Sequence, residues 1–209
     1  YTLKHGYSKG YALKSWNLEG SNDNTNWTVL RAHVNDLSLA NSTSRTQTYD
    51  IPSHGGAYQY FRLIMTDKNS SGSWTFCLGG IEFYGVLYDK NVASNTTTAA
   101  IHSTASINST ASINSTPATH PTTSKGTTFT YSGQDFDTKG IVHHLMQHST
   151  HGSGSYPIHA SRISDAQGKA ADPLFNVSGT CCTSNKLSNS WWKFDFQSRK
   201  VSPTKYVVC

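Results

Sequence analysis

A stretch of low complexity divides the chain and limits what it can fold into. Residues 93–126 contain one charged residue, Lys125, and no aromatic residue, and Ser, Thr and Ala dominate them. Within them the sequence Ser-Thr-Ala-Ser-Ile-Asn occurs twice in tandem. Such a segment cannot bury enough apolar surface to fold alone. One continuous core therefore cannot run through the chain, and the folded residues must lie in 1–88 and 127–209.

We interpret residues 89–126 as an extended Ser/Thr-rich stalk that carries covalent glycans. Ser, Thr and Pro together in a low-complexity stretch are typical of glycosylated stalks, and an ordinary flexible linker is the alternative. Asn-x-Ser/Thr sequons also occur in the folded segments, and the low charged content agrees with a secreted or cell-surface location. The predicted glycan acceptors are Asn26, Asn41, Asn69, Asn95, Asn108, Asn114 and Asn176.

The stretch 11–30 shows which fold class to expect. Trp16 and Leu18 share one parity with polar residues between them, and this period of two predicts a strand with one buried face. Short polar residues at 21–24 predict a tight turn, after which Trp27 begins a second alternating run. Further strands are predicted at 46–51, 58–66, 74–85, 156–163, 192–196 and 201–209. Strands at this spacing indicate an all-β sandwich or barrel.

Several motifs resemble one known domain family. They are W-x-L-E-G-S-N-D at 16–23, Y-F-R at 60–62, K-N-S-S-G at 68–72, G-I-E-F-Y-G at 80–85, N-S-W-W at 189–192 and P-T-K-Y at 203–206. These segments resemble discoidin-like (coagulation-factor type-C-like, galactose-binding-like) domains, in the variety found in some HECT-type ubiquitin ligases. The resemblance implies a discoidin-like antiparallel β-sandwich, split into two halves joined by the stalk.

The two halves stand in reversed order relative to the family. Residues 1–88 resemble the C-terminal part of the domain and 127–209 the N-terminal part, and 1–4 and 206–209 align with the same family strand. Half a sandwich exposes an apolar face and unpaired edges. The halves close within one chain, or 127–209 is completed by 1–88 of a neighbouring unit, or the chain is a window of a tandem array. We expect copies of the chain to complement one another head to tail, because contacts that do not close propagate into fibres.

Charge and composition exclude several classes of function. The net charge is +5, but the basic residues are scattered, and no basic stripe with accessible aromatics predicts nucleic-acid binding. No apolar run is long enough for a membrane span. The first residue is Tyr1 and no signal peptide is present, so we expect a mature product or a window of a longer chain. No catalytic motif and no cofactor are predicted.

The four cysteines do not form a metal-binding pattern. Cys77, Cys181, Cys182 and Cys209 show no zinc spacing. Adjacent Cys181 and Cys182 rarely bond each other, because a disulfide needs a wider Cα separation. Each cysteine either forms a disulfide elsewhere or is a small buried apolar residue, and the pairing stays open.

Two weaker candidate sites remain. His144 and His148 would share one face of a helix, which is the spacing of two metal ligands, but we favour a solvated His-rich loop and predict no metal. Trp74, in a loop beside Asn69, is the best candidate for a platform that stacks a sugar ring, although a core position at a strand edge is the favoured interpretation of this residue.

These observations predict a non-enzymatic extracellular glycoprotein that acts as a structural or adhesive fibre unit. The alternatives are a carbohydrate-binding adhesin module and an intracellular accessory interaction domain of a ubiquitin ligase.

Overall fold

Two antiparallel sheets form the framework of the computed structural model, which describes residues 2–5, 11–39, 46–52, 56–89, 126–133, 138–150, 153, 155–163, 170–175, 183 and 187–208. The strands are β1 (Thr2–His5), β2 (Trp16–Ser21), β3 (Thr28–His33), β4 (Thr46–Asp50), β5 (Tyr60–Met65), β6 (Leu78–Glu82), β7 (Tyr84–Asp89), β8 (Thr127–Phe129), β9 (His159–Arg162), β10 (Trp191–Asp195) and β11 (Arg199–Val208). One short helix, α1 (Ile141–Met146), and a 3₁₀ turn at Asp172–Phe175 complete the described elements.

The strand order defines a sandwich. One sheet has the order β6-β1-β4-β11-β7-β8 and the other the order β3-β2-β5-β10-β9, and the strand pairs are antiparallel. This confirms the all-β prediction. The predicted stalk, 89–126, lies outside the described residues except at its two ends. No described helix is long and apolar enough to span a membrane.

Alternating side chains fill the space between the sheets. Trp16 and Leu18 of β2 are fully buried, as the alternation predicts, and Trp192 and Phe194 of β10 are buried in the same core. Burying a large apolar side chain contributes about 1.5–3 kcal/mol. Residues from both sides of the low-complexity stretch therefore stabilise one common core.

The two segments complete each other within one chain. Strand β10 lies between β5 and β9, with Trp192 opposite Leu63, and β11 lies between β4 and β7. The apolar face and the strand edges that require a partner are covered by residues of the same chain. The structure thus shows closure within one chain, which is one of the three arrangements expected, and complementation between copies has no support. An alternating pattern identifies the buried face of a strand but not the chain that covers it.

Strand β4 is flanked at the same register by two strands of similar sequence. Thr2 of β1 lies opposite Thr48 on one side, and Val207 of β11 lies opposite Thr48 on the other. The family resemblance aligns these two strands with a single position. The sheet accommodates both because β4 offers hydrogen-bonding groups on both edges.

A buried carboxylate ties α1 to the end of β6. Glu82 accepts hydrogen bonds from the backbone N–H groups of Phe83, Val142 and His143 at 2.9, 2.6 and 2.9 Å. Gly140 is required beside it, because a Cβ atom there would lie 2.0 Å from Glu82 Cδ. Burial raises the pKa of Glu82 to about 7, while the backbone N–H groups lower it. Glu82 thus accepts hydrogen bonds from backbone N–H groups in the first turn of α1, which have no partner within the helix. The N-cap residue of α1 forms no side-chain hydrogen bond of its own.

The predicted strand at 74–85 is divided in two. β6 ends at Glu82 and β7 begins at Tyr84. Gly85 has a φ of 139°, and a Cβ atom there would lie 2.2 Å from the carbonyl oxygen of Ser202. Only glycine fits this close approach of β7 to β11.

Candidate functional site

Large apolar side chains are exposed at one end of the five-stranded sheet. Val34 and Leu37, which follow β3, are 77% and 63% exposed. Tyr11, which leads towards β2, and Leu187, which precedes β10, are also exposed. We call these four residues the apolar end. The one other exposed large apolar residue among those the structure describes is Val29, near the start of β3.

The strand registers place the four residues at the same end. Trp16, the first residue of β2, pairs with His33 at the end of β3 and with Met65 at the end of β5. The Met65 N–H donates to the carbonyl oxygen of Ser190, which directly precedes β10. Single exposed apolar residues are common on protein surfaces, whereas a group of them marks an interaction site. The apolar end is therefore the candidate functional site.

A partly buried hydrogen-bond network holds the loop that carries Val34 and Leu37. The carboxylate of Asp36 accepts from His33 Nδ1 at 2.9 Å and from the Ser38 N–H at 2.9 Å. The Asp36 N–H donates to the carbonyl oxygen of Lys14 at 2.7 Å. Burial opposes ionisation of Asp36, but hydrogen bonds from Ser38 and His33 outweigh it and lower its pKa. The loop is thereby fixed on both sides of Val34 and Leu37.

His33 supports the loop as a neutral side chain. Its ring stacks on Trp16 with centroids 3.9 Å apart and meets the edge of Tyr49 at 4.3 Å. Burial lowers the pKa of His33 to about 4, although Asp36 acts in the opposite direction. At neutral pH the ring therefore donates a hydrogen bond from Nδ1 to Asp36 without carrying a charge.

Asn35, at the tip of the loop, uses a conformation that few residues adopt. Its φ is 51°, and its N–H donates to Ser15 Oγ at 3.1 Å. Asn tolerates this left-handed region better than most residues. A loop held in this way needs little ordering when it binds, so less binding free energy is lost.

A second loop beside Tyr11 is organised around Asn69. Its Oδ1 accepts from the N–H groups of Ser71 and Ser73, both at 3.0 Å, and its Nδ2 donates to the carbonyl oxygen of Thr75 at 2.8 Å. Asn69 is 1% exposed. The amide that the sequence marks as a glycan acceptor is thus buried and engaged in the loop.

The described charges around the apolar end balance one another. Lys14 lies 3.8 Å from Asp67 in an exposed ion pair, which contributes little stability. Lys68 adds one positive charge and Asp36 one negative charge. The surface is therefore apolar with a near-neutral rim, which favours an apolar protein surface over a polyanion.

The other residues predicted from sequence are separate from this site. Trp74 is partly buried and packs against the core. Asn26 is exposed in the turn between β2 and β3, where its Nδ2 donates to Asp23 at 2.7 Å. The remaining predicted acceptors, Asn41, Asn95, Asn108, Asn114 and Asn176, lie outside the described residues.

His144 and His148 do not form a metal site with other described ligands. His144 lies on α1 with its ring 5.0 Å from that of Phe129, and His148 follows the end of the helix. Within the described ranges, no three His, Cys, Asp or Glu side chains are grouped as metal ligands.

The sequence interpretation missed the apolar end. Val34 and Leu37 match the apolar residues of a strand in composition, and only the fold shows that they are exposed. A local signal did exist: Asn35 and Asp36, directly after an alternating run, are residues typical of turns.

The fold and the site together define a β-sandwich with a fixed, exposed apolar end. No family model and no solved structure match the chain. Two relatives are E3 ubiquitin-protein ligases: Ufd4 of Drosophila melanogaster, 38% identical over 91 residues, and hecd-1 of Caenorhabditis elegans, 36% identical over 94 residues. These matches cover 41% and 43% of this chain and 3% of each ligase. A BTB/POZ domain-containing protein of Arabidopsis thaliana is 28% identical over 89 residues, 41% of this chain and 11% of that protein.

These relatives correct the predicted location. Ubiquitin ligases are intracellular proteins, so the matches contradict a secreted or cell-surface location. The associated predictions of a glycoprotein, of cell adhesion and of a filament are wrong for the same reason. The sequons are frequent partly because Ser and Thr are frequent, and Asn69 has a structural role that requires the same residues.

Proposed function

We propose that the chain contains a discoidin-like sandwich that acts inside the cell as a non-catalytic interaction module of a ubiquitin-ligase-type protein. It binds a partner protein through the apolar end. The observation that carries this proposal is the grouping of exposed Val34 and Leu37 on a loop held by half-buried Asp36. The His33–Asp36 pair of this loop is engaged in holding it, and Val34 and Leu37 are the side chains that the loop exposes, which supports binding rather than catalysis.

Similarity supports the ligase context. The relatives named as ligases are 38% and 36% identical to this chain over 91 and 94 residues. Because the matches cover only 3% of each ligase, the activity of the whole relatives does not pass to this chain. The module would hold a substrate or a regulatory protein close to catalytic domains located elsewhere.

Site-specific photo-cross-linking in cells tests this function. A photoreactive amino acid is placed at Leu37 in one version of the chain and at Val29, an exposed apolar residue near the other end of β3, in a matched control. We expect Leu37 to cross-link to a small set of proteins that includes substrates or components of ubiquitin conjugation, and Val29 not to do so. The substitution Val34→Asp should abolish the cross-links.

Two results would contradict the proposal. Identical cross-linked proteins at both positions would show that the apolar end has no specific partner. Binding of the purified chain to phosphatidylcholine–phosphatidylserine vesicles, lost in Leu37→Asp but not in Val29→Asp, would show that the surface inserts into lipid and does not bind a protein.

A further inference from the structure

Two half-buried aromatic side chains face solvent on the outer side of the five-stranded sheet. Strand β5 alternates half-buried and buried residues, so Tyr60 and Arg62 point away from the core. Trp27, which directly precedes β3, lies on the same side, because the Arg62 guanidinium stands 4.3 Å from the centre of its ring. Val29, 44% exposed, lies opposite Glu19, whose carboxylate pairs with Arg62. We call Trp27, Val29, Tyr60 and Arg62 the aromatic face.

Ion pairing and stacking hold the aromatic face in place before a ligand binds. Glu19 accepts hydrogen bonds from Arg62 Nε at 2.9 Å and from Arg62 Nη2 at 2.5 Å, which fixes the plane of the guanidinium. A cation above the face of an indole attracts the ring, so Arg62 in turn holds Trp27. Because Trp27 is already positioned, little of its side-chain freedom is lost on binding, and less binding free energy is lost with it.

The strand order sets the spacing between the two aromatic residues. Trp27 precedes Thr28 of β3, and β2 lies between β3 and β5, the strand that Tyr60 begins. Neighbouring strands lie about 4.8 Å apart, so about 9.6 Å separates the strand positions of the two residues. A polyproline II helix rises about 9.3 Å in each turn of three residues. A segment in this conformation that crosses the strands therefore presents successive turns at the spacing of Trp27 and Tyr60.

The polar groups that the aromatic face offers to a ligand are hydrogen-bond donors. The indole N–H of Trp27 and the hydroxyl of Tyr60 form no hydrogen bond with any described residue and reach solvent. The nearby carboxylates are occupied: Glu19 by its ion pair, and Asp195, which lies opposite Tyr60, by Gln59 Nε2 at 3.2 Å and by a backbone N–H at 2.6 Å. A ligand that offers many acceptors and few donors is therefore complementary to this surface.

The charges on this side of the sheet cancel. Arg62 and Lys193 lie opposite each other on β5 and β10, while Glu19 of β2 and Asp195 of β10 supply two negative charges. Lys193 also donates to Asn24 Oδ1 at 3.1 Å. A polyanion such as a nucleic acid gains no net electrostatic attraction here, which favours an uncharged ligand.

We propose that the aromatic face binds a proline-rich segment of a partner protein in the polyproline II conformation. Such a segment has the required chemistry, because its carbonyl oxygens are not used within the helix and each proline removes one N–H donor. Proline rings pack between Trp27 and Tyr60, and the indole N–H and the hydroxyl donate to backbone carbonyl oxygens of the segment. Surfaces lined by aromatic side chains are a recurring mode of binding such segments.

This surface is distinct from the apolar end. Trp27 and Tyr60 lie where β3 and β5 begin, whereas the apolar end lies where these strands end. The proposal therefore does not depend on the partner that the apolar end binds. A photoreactive residue at Val29 would report on the aromatic face and one at Leu37 on the apolar end, and we expect the two to cross-link to different proteins.

An NMR titration of the full chain with a nonapeptide of proline tests the site. The chain has five tryptophans, and each gives one indole N–H cross-peak. We expect the Trp27 cross-peak to shift saturably, and those of buried Trp16 and Trp192 to stay in place. Trp191 is the matched internal control, because it also points outward but lies at the other end of the sheet from Tyr60. An unmoved Trp27 cross-peak, or an equal shift of Trp191, would overturn the proposal.

Variants measure what each group contributes to the affinity for the peptide. Trp27→Ala should weaken binding by about tenfold or more, because it removes a ring and a donor, and Tyr60→Phe by about threefold, because it removes the hydroxyl alone. Trp191→Ala should keep the affinity within about twofold, and thermal unfolding checks that each variant is folded.

Three further results would overturn the proposal. Equal binding of a nonapeptide of glycine and serine would show that the surface does not recognise proline. Saturable shifts of the Trp27 cross-peak with oligouridylate but not with the proline peptide would assign the surface to a nucleic acid. Loss of peptide binding in Val34→Asp, with binding kept in Trp27→Ala, would place the peptide at the apolar end, so failure of this proposal is distinguishable from failure of the proposed function.

Discussion

Replacing Glu82 by Gln tests how the two segments are joined through a buried carboxylate. Gln keeps the volume and one acceptor oxygen, which can still receive the N–H groups of Phe83 and Val142. Its amide nitrogen cannot accept the N–H of His143. A buried donor left without a partner costs about 1–3 kcal/mol, so the variant should be less stable by about this amount at low pH.

The charge of Glu82 has the opposite effect. Burial raises its pKa from 4.5 to about 7, so ionising Glu82 costs the folded state about 3 kcal/mol relative to the unfolded chain. The folded-state pKa lies above the unfolded value. The contribution of Glu82 to stability is therefore complete below about pH 4.5 and is lost as the pH rises through about 7. A Gln side chain does not ionise, so the Glu82→Gln variant does not lose stability in this way as the pH rises.

The difference in the free energy of unfolding between the wild type and Glu82→Gln should therefore depend on pH. The wild type should lose about 3 kcal/mol of its advantage over Glu82→Gln between about pH 4.5 and pH 8. His33, whose pKa is about 4 in the folded state and 6.5 in the unfolded chain, also makes stability depend on pH, but equally in both proteins, so its contribution cancels in the difference. Urea denaturation followed by tryptophan fluorescence at several pH values measures the effect. A difference that is constant or grows with pH would refute the reasoning, because the backbone donors would then keep Glu82 ionised.

Three other predictions concern the backbone and the loop of the apolar end. Gly85→Ala should destabilise the fold by about 3 kcal/mol, because Ala is strained at this φ and its Cβ meets a backbone oxygen. The control Gly72→Ala, at a positive φ but in open space, should cost about 1 kcal/mol. Equal losses of stability for the two variants in thermal unfolding would contradict this account. Asp36→Ala should cost about 1–3 kcal/mol, because it leaves the buried His33 donor and the half-buried Ser38 N–H without their acceptor. The matched control Asp67→Ala, which removes an exposed ion pair, should cost less than about 1 kcal/mol. Amide hydrogen exchange at Leu37 should accelerate in Asp36→Ala alone; unchanged exchange would show that Asp36 does not hold the loop.

The buried strands were the most predictable part of the fold. The alternation of Trp16 with Leu18, and of Trp192 with Phe194, predicts buried faces because strand side chains alternate between the two sides. The pattern does not identify the neighbouring strand, since backbone hydrogen bonds carry no sequence information. Closure within one chain therefore could not be read from residues 1–88 and 127–209.

The candidate site was much less predictable. Val34 and Leu37 have the composition of core residues, and their exposure follows from the position of the loop after β3. The hydrogen bond from His33 to Asp36 depends on the stacking of His33 on Trp16, which composition and spacing do not encode. The sequons failed to predict the location of the protein because an Asn-Ser-Ser sequence can have a structural role, as at Asn69, whose buried side chain forms hydrogen bonds that hold a loop.

The central claim is that one chain supplies both halves of its own sandwich, and a single coupling experiment tests it. Lys205 of β11 and Asp50 of β4 belong to different halves, and Lys205 Nζ lies 3.6 Å from Asp50 Oδ1. Isotopically heavy and light chains are mixed in equal amounts, refolded together and treated with a zero-length carbodiimide coupling reagent. Peptides that join Lys205 to Asp50 should carry both parts from one chain, all heavy or all light. Mixed heavy–light peptides making up about half of the product would show instead that the halves pair between chains.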